Sequence, residues 1–256
     1  MDTFGKLTDP SSLPTGNGRA VAFSNDGIYM AVAHITSPNI TIYKRSGDTF
    51  TKLTNPSDLP AGTGNGVAFS ADGVYMAVAC NTSPYITIYK RSGDTFTKLT
   101  DPSDLPASTG YGIAFSPDGT YMAVAHYGSP YITIYKRSGD TFTKLTNPSV
   151  LPAGIGNSVA FSNDGVYMAV AHATSPYITI YKRSGDTFTK LTDPSVLPTN
   201  VGYDVAFSAD GVYMAVAHND SPYITIYKRS GDTFTKLADP SYLPTGGGQG
   251  VAFWPK

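Results

Sequence analysis

Short runs of β-branched, aromatic and small apolar residues punctuated by turn residues recur along this chain, and no stretch holds a helical period for three turns. In Tyr75-Met76-Ala77-Val78-Ala79, Met76 and Val78 point to one side and Tyr75, Ala77 and Ala79 to the other, with no charge in either set. A strand with two apolar faces needs a neighbour packed on each. Further β-branched and aromatic runs flank it, so the stretch reads as four strands: Gly66 to Ser70, Val74 to Cys80, Tyr85 to Lys90 and Thr95 to Thr100. Asp72-Gly73 joins the first two and Ser92-Gly93-Asp94 the last two, each offering a glycine for the positive-φ position of a tight hairpin. Lys98 lies on the outermost run, as an edge guarded against pairing requires.

The whole unit recurs. Asp-Thr-Phe stands at 2, 48, 94, 140, 186 and 232, a constant step of 46 residues. Full repeats therefore run 2–47, 48–93, 94–139, 140–185 and 186–231, followed by a partial repeat, 232–256, in which Val67-Ala68-Phe69 returns as Val251-Ala252-Phe253. Radial stacking about an axis gives every small sheet two neighbours. The prediction is an all-β fold: a single β-propeller domain over residues 1–256, built of four-stranded antiparallel blades.

The residues also resemble a known family. Val67-Ala68-Phe69-Ser70-Ala71-Asp72-Gly73-Val74-Tyr75-Met76-Ala77-Val78-Ala79 is similar to the first hairpin of a WD40-like β-propeller blade, and Ile86-Thr87-Ile88-Tyr89-Lys90-Arg91-Ser92-Gly93-Asp94 to its second. Ser116-Pro117-Asp118-Gly119 comes nearest to that pattern. The sequence departs from it at both signatures: no Gly-His pair precedes a first strand, and Tyr89-Lys90 stands where Trp-Asp is expected. The resemblance implies the propeller fold and no particular activity.

With strands labelled A to D from the axis outward, the chain supplies a lone D strand (Thr3 to Thr8), five complete blades and a lone A strand (Gly250 to Trp254). Three closures fit this count: a five-bladed ring with two spare strands, which is favoured, a six-bladed ring with a partial blade, or an open unit that exchanges strands between copies.

Composition narrows the functions. Charged residues make up 14% of the chain and the net charge is −1, which offers no footprint for nucleic acid. Cys80 is the only cysteine, so neither an intrachain disulfide nor a cysteine-based zinc site can form. Met1-Asp2-Thr3-Phe4-Gly5 lacks the basic and apolar regions of a signal peptide, and no run is long enough to span a membrane as a helix. A soluble chain is expected, its compartment open, with an extracellular or virion surface as the working setting. All 19 acidic residues are aspartates, mostly in turns, and no Ser-His-Asp set or phosphate loop stands out, so no enzyme and no cofactor are expected.

Variation among the copies is concentrated at two places. Before the A strand stand Arg19-Ala20, Asn65-Gly66, Tyr111-Gly112, Asn157-Ser158, Tyr203-Asp204 and Gln249-Gly250; after the B strand stand Ile35-Thr36, Asn81-Thr82, Tyr127-Gly128, Ala173-Thr174 and Asn219-Asp220. Propeller geometry puts the D-A and B-C loops on one face. The expected function is accordingly a non-enzymatic binding or scaffold propeller with multivalent, lectin-like recognition of a glycan or protein through Arg19, Asn65, Tyr111, Asn157, Tyr203, Gln249, Asn81, Tyr127, Asn219 and Asp220. The alternative is a structural or assembly subunit of an appendage, fibre or phage tail, self-associating through its end strands. A propeller lactonase is disfavoured, because identical blades do not offer an asymmetric site. His34, His126, His172 and His218 end successive B strands, with Cys80 at the same place, and are secondary ligand candidates. B strands diverge too far from the axis for these residues to share a metal, so their expected role is structural, bonding the adjacent B-C loop.

Overall fold

The structure, a computed structural model, describes residues 5–253. Among these residues there are no helices. Twenty strands form five four-stranded antiparallel sheets, each drawn from one continuous stretch: 18–52, 64–98, 110–144, 156–190 and 202–236. These are the five expected blades, numbered here in chain order.

In the second blade the strands are Gly64–Phe69, Tyr75–Cys80, Ile86–Ser92 and Thr95–Lys98. The A-B register sets Val67 opposite Val78 and Phe69 opposite Met76, with a bulge between Gly64 and Gly66. The B strand starts one residue later than its pattern suggests because a turn claims Val74. The Asp72 carboxylate accepts from the Val74 amide (2.9 Å) and the Ser70 hydroxyl (2.5 Å), and Ser70 Oγ accepts from the Tyr75 amide (2.9 Å). Gly73 takes φ +65° at the tip, where a side chain would be strained.

The core lies between blades. Tyr29, Ala31, Ala33, Ile40 and Ile42 of the first blade close on Val67, Met76, Val78, Tyr89 and Phe96 of the second, and the two alanines leave room for the larger side chains opposite. The same cluster recurs at the next three junctions.

A polar staple fastens the rim of each of these junctions. Tyr29 donates its hydroxyl proton to Asp94 Oδ1 (2.6 Å), Lys44 pairs with Asp94 Oδ2 (2.8 Å), and the Arg91 guanidinium lies 4.6 Å from the centre of the Tyr29 ring. Tyr75, Tyr121 and Tyr167 repeat the arrangement with Asp140, Asp186 and Asp232. Burial, then the bond to Asp94, raises the Tyr29 hydroxyl above the usual phenol range, while Lys44 and Tyr29 hold Asp94 below the usual carboxylate range.

Among the described residues no such cluster joins the fifth blade to the first. Val21 and Phe23 are 59% and 51% exposed, whereas Val67, the counterpart of Val21, is 8% exposed. Residues 5–8 and 250–253 form no strand, so neither spare end strand is present over the described part of its expected range. Thr3, Phe4 and Trp254 of those ranges lie outside the described residues. The tail instead turns inward: the Val251 amide donates to Asp204 Oδ2 (2.9 Å).

Candidate functional site

The D-A and B-C loops do share one face, and backbone bonds tie them together: Ile35 to Asn17, Asn81 to Thr63, Tyr127 to Thr109, Ala173 to Ile155 and Asn219 to Val201. The loops divide the expected site residues into two groups. Arg19, Asn65, Tyr111, Asn157, Tyr203 and Gln249 converge on the axis, where they line a funnel of about 910 Å³. Asn81, Tyr127, Asn219 and Asp220 stay on the outer rim of that face and do not line the funnel. Asp220 is taken up by its own loops, accepting from Asn200 (2.8 Å) and Asn219 (3.1 Å).

Close approach of the A strands builds the funnel wall. A Cβ at Gly66 would collide with the Tyr111 carbonyl oxygen, and one at Gly112 would come within 2.7 Å of Ser158 Cα. The ring side chains are partly anchored. Asn65 donates to the Gly110 carbonyl (2.9 Å) and Asn157 to the Gly202 carbonyl (2.8 Å), which leaves each amide oxygen available as an acceptor.

The funnel is chemically asymmetric in spite of the repeat. Arg19 is its one cation and Asp204 its one carboxylate among the described residues. Asp204 Oδ1 accepts from the Ser158 hydroxyl (2.6 Å) and the Val205 amide (2.9 Å), and its Oδ2 accepts from Val251. Ser158 and Asp204 are the residues that the sequence reading passed over. The signal was present, since the second member of each variable pair before an A strand is otherwise alanine or glycine and only these two copies carry a polar side chain there.

His34, His126, His172 and His218 are fully buried and face no ligand surface. Nε2 of each lies 2.9 to 3.0 Å from a C-strand threonine hydroxyl: Thr41, Thr133, Thr179 and Thr225 respectively. The expected B-C loop also acts on the rings, through its backbone at Thr36, Gly128, Thr174 and Asp220, and His218 Nδ1 lies 3.2 Å from the Thr199 hydroxyl, so each ring joins its loop to the neighbouring strand. Burial pushes His126 and His172 down to about 4 and lowers His34 and His218 as well, so all four are neutral at pH 7. Burial likewise raises the Cys80 thiol. Among the described residues no three His, Cys or Asp side chains come together as a metal site.

No family model matches the sequence, so the WD40 resemblance stops at the propeller-like repeat fold, and no curated protein is similar to it. Solved structures are similar in fold. A candidate 6-phosphogluconolactonase from Bacteroides uniformis is 18% identical with a TM-score of 0.67, covering 84% of this chain and 68% of its own. Kuenenia stuttgartiensis hydrazine synthase is 15% identical with a TM-score of 0.66 over 91% and 69%. The periplasmic gluconolactonase of Pseudomonas aeruginosa is 16% identical with a TM-score of 0.65 over 86% and 69%.

At these identities the likeness establishes the fold. The expectation of a non-enzymatic binding, scaffold or assembly protein is corrected by these neighbours, two of which share the fold and are named a 6-phosphogluconolactonase and a gluconolactonase. That expectation rested in part on identical repeats yielding no asymmetric site. The funnel, with one arginine and one aspartate, removes the premise.

Proposed function

We propose that this protein is a hydrolase of small sugar lactones, with the axial funnel as its substrate site. The observation that carries the reading is the presence of one cation, Arg19, and one carboxylate, Asp204, in a funnel whose ring is otherwise made of amides and phenols. The lactonase names of two structural neighbours support the substrate class.

A sugar lactone presents hydroxyl groups, an ester carbonyl and, in phosphorylated forms, an anion. Tyr111 and Tyr203 offer flat apolar area with hydroxyl tips, and the Asn65 and Asn157 amide oxygens accept from sugar hydroxyls. Arg19 supplies charged N–H donors to the carbonyl oxygen or to a phosphate. Three donors occupy Asp204, leaving about one of its roughly four acceptor positions for a water. In the reaction that water attacks the carbonyl carbon, the ring C–O bond breaks, and the water's proton passes by way of Asp204 to the departing ring oxygen.

The test is hydrolysis of glucono-δ-lactone and its 6-phosphate, with the spontaneous rate subtracted. Asp204→Asn, which keeps the shape of the side chain, should lower kcat by about 10²-fold or more. Arg19→Gln should chiefly raise KM for the phosphorylated substrate. Wild-type protein that hydrolyses neither lactone faster than buffer would overturn the proposal.

A further inference from the structure

We infer that the open faces of the first and fifth blades bind each other between two copies of this chain, reproducing the blade-to-blade junction found four times within it. The inference is independent of the lactonase reading. It uses blade faces and not strand addition, for which residues 5–8 and 250–253 supply no strand.

Each internal junction has two halves. The earlier blade contributes a tyrosine, a lysine, two alanines and two isoleucines; the later blade contributes an aspartate, an arginine and large apolar residues. The fifth blade carries the first half with only the tail against it: Gly248 packs on Ala217 and donates its amide to the His218 carbonyl (3.0 Å), the place that Gly64 takes on Ala33 at the first junction, so a docking copy displaces the tail there and covers the rest of the face. Tyr213, Ile224 and Ile226 there are partly exposed, while Tyr167, Ile178 and Ile180 at the internal position are buried. The first blade carries the second half without a donor, with Val21 and Phe23 exposed.

The polar groups match as well. Among the described residues the Asp48 carboxylate, the Lys228 ammonium and the Tyr213 hydroxyl have no partner. These are the equivalents of Asp94, Lys44 and Tyr29 in the first staple. Arg45, which has no tyrosine ring to cover, bonds the Gly47 carbonyl (2.8 Å), whereas Arg91 bonds Gly73 (2.7 Å) at the internal junction. Apolar surface, charge and hydroxyl are therefore complementary between the two faces. The chemistry that covers either face is another blade of this repeat.

Contact between different faces need not close on itself, so association can extend beyond two copies. The full chain should be followed by light scattering from micromolar to hundred-micromolar concentration. The expected result is a mass rising from 27.1 kDa to twice that value or more. Phe23→Asp should hold the protein at the monomer mass, and circular dichroism should show the same strand content, because Phe23 is exposed within the chain. Asp48→Lys should weaken association about tenfold, and Asp48→Lys combined with Lys228→Asp should restore it. A wild-type mass of 27.1 kDa at every concentration overturns the inference. So does an unchanged mass series for Phe23→Asp, or a double charge swap that fails to recover association.

Discussion

Replacing His126 and His172 by cysteine, the residue that Cys80 already places at this point of the repeat, should blunt the acid sensitivity of folding. Both imidazoles are fully buried, and burial lowers their pKa to about 4 from 6.5. The unfolded chain therefore binds protons that the folded chain refuses. The stabilising contribution is whole above pH 6.5 and is lost as pH falls toward 4. At pH 5 the loss comes to about 2 kcal/mol for each imidazole, or roughly 4 kcal/mol for the pair. The staple aspartates, held below the usual carboxylate range by their lysine and tyrosine partners, titrate below that window. The double variant gives up two His-Thr bonds, at about 1 kcal/mol each at pH 7, in exchange for a flatter pH profile. Thermal unfolding followed by circular dichroism at pH 7 and pH 5 reads this directly. At about 2–4 °C per kcal/mol, the wild-type drop between the two pH values should exceed that of the variant by about 10 °C. Equal drops in the two proteins would refute the assignment of these imidazoles as buried neutral groups.

Two further outcomes test the packing between blades. Tyr121→Phe removes the hydroxyl that bonds Asp186 Oδ1 (2.6 Å) and the Gly185 carbonyl (3.0 Å), and chemical denaturation should register a loss of about 1 kcal/mol. Gly112→Ala places a methyl group within 2.7 Å of Ser158 Cα, where only backbone movement can relieve it. It should cost about 1–3 kcal/mol, while alanine at Gly5, which has nothing within 4 Å, should leave the melting temperature unchanged.

The blade architecture was legible because its determinants are local. The alternation around Met76 and Val78 and the glycine of Asp72-Gly73 specify strands and turns within a few residues, and the 46-residue step multiplies them. The ring of Arg19, Asn65, Tyr111, Asn157, Tyr203 and Gln249 was legible for a related reason: one register places equivalent residues at equivalent points, and five blades converge there. The inter-blade staple was not. Tyr29 and Asp94 are 65 residues apart, and a period of 46 does not say which residue of one copy meets which residue of the next. Burial of the histidines escaped notice because the B strand ends under its own loop, a fact of three-dimensional path. The functional expectation failed at the same level, since repeat identity was taken over whole blades while the asymmetry resides in two side chains.

How near-identical blades come to carry an asymmetric funnel follows from where variation is cheap. Tyr121, Met122, Val124 and Phe142 each face a neighbouring blade or a buried core, so a change there disturbs a junction. Such a change creates a cavity or a clash worth several kcal/mol. The ring positions instead turn their side chains toward the funnel, half-buried at Asn65, Tyr111, Asn157 and Tyr203 and exposed at Arg19 and Gln249. Replacing Tyr111 or Tyr203 alters what the funnel offers a ligand, whereas Asn65 and Asn157 also bond the Gly110 and Gly202 carbonyls of the next blade, so a change there touches the interface too. Asp204 marks the limit of that freedom, because its carboxylate also fastens Ser158 of the preceding blade and Val251 of the tail. A change at Asp204 should therefore affect chemistry and the seating of the tail together, whereas a change at Tyr111 should affect ligand affinity with the melting temperature held, a separation that paired activity and thermal measurements on the two variants can read.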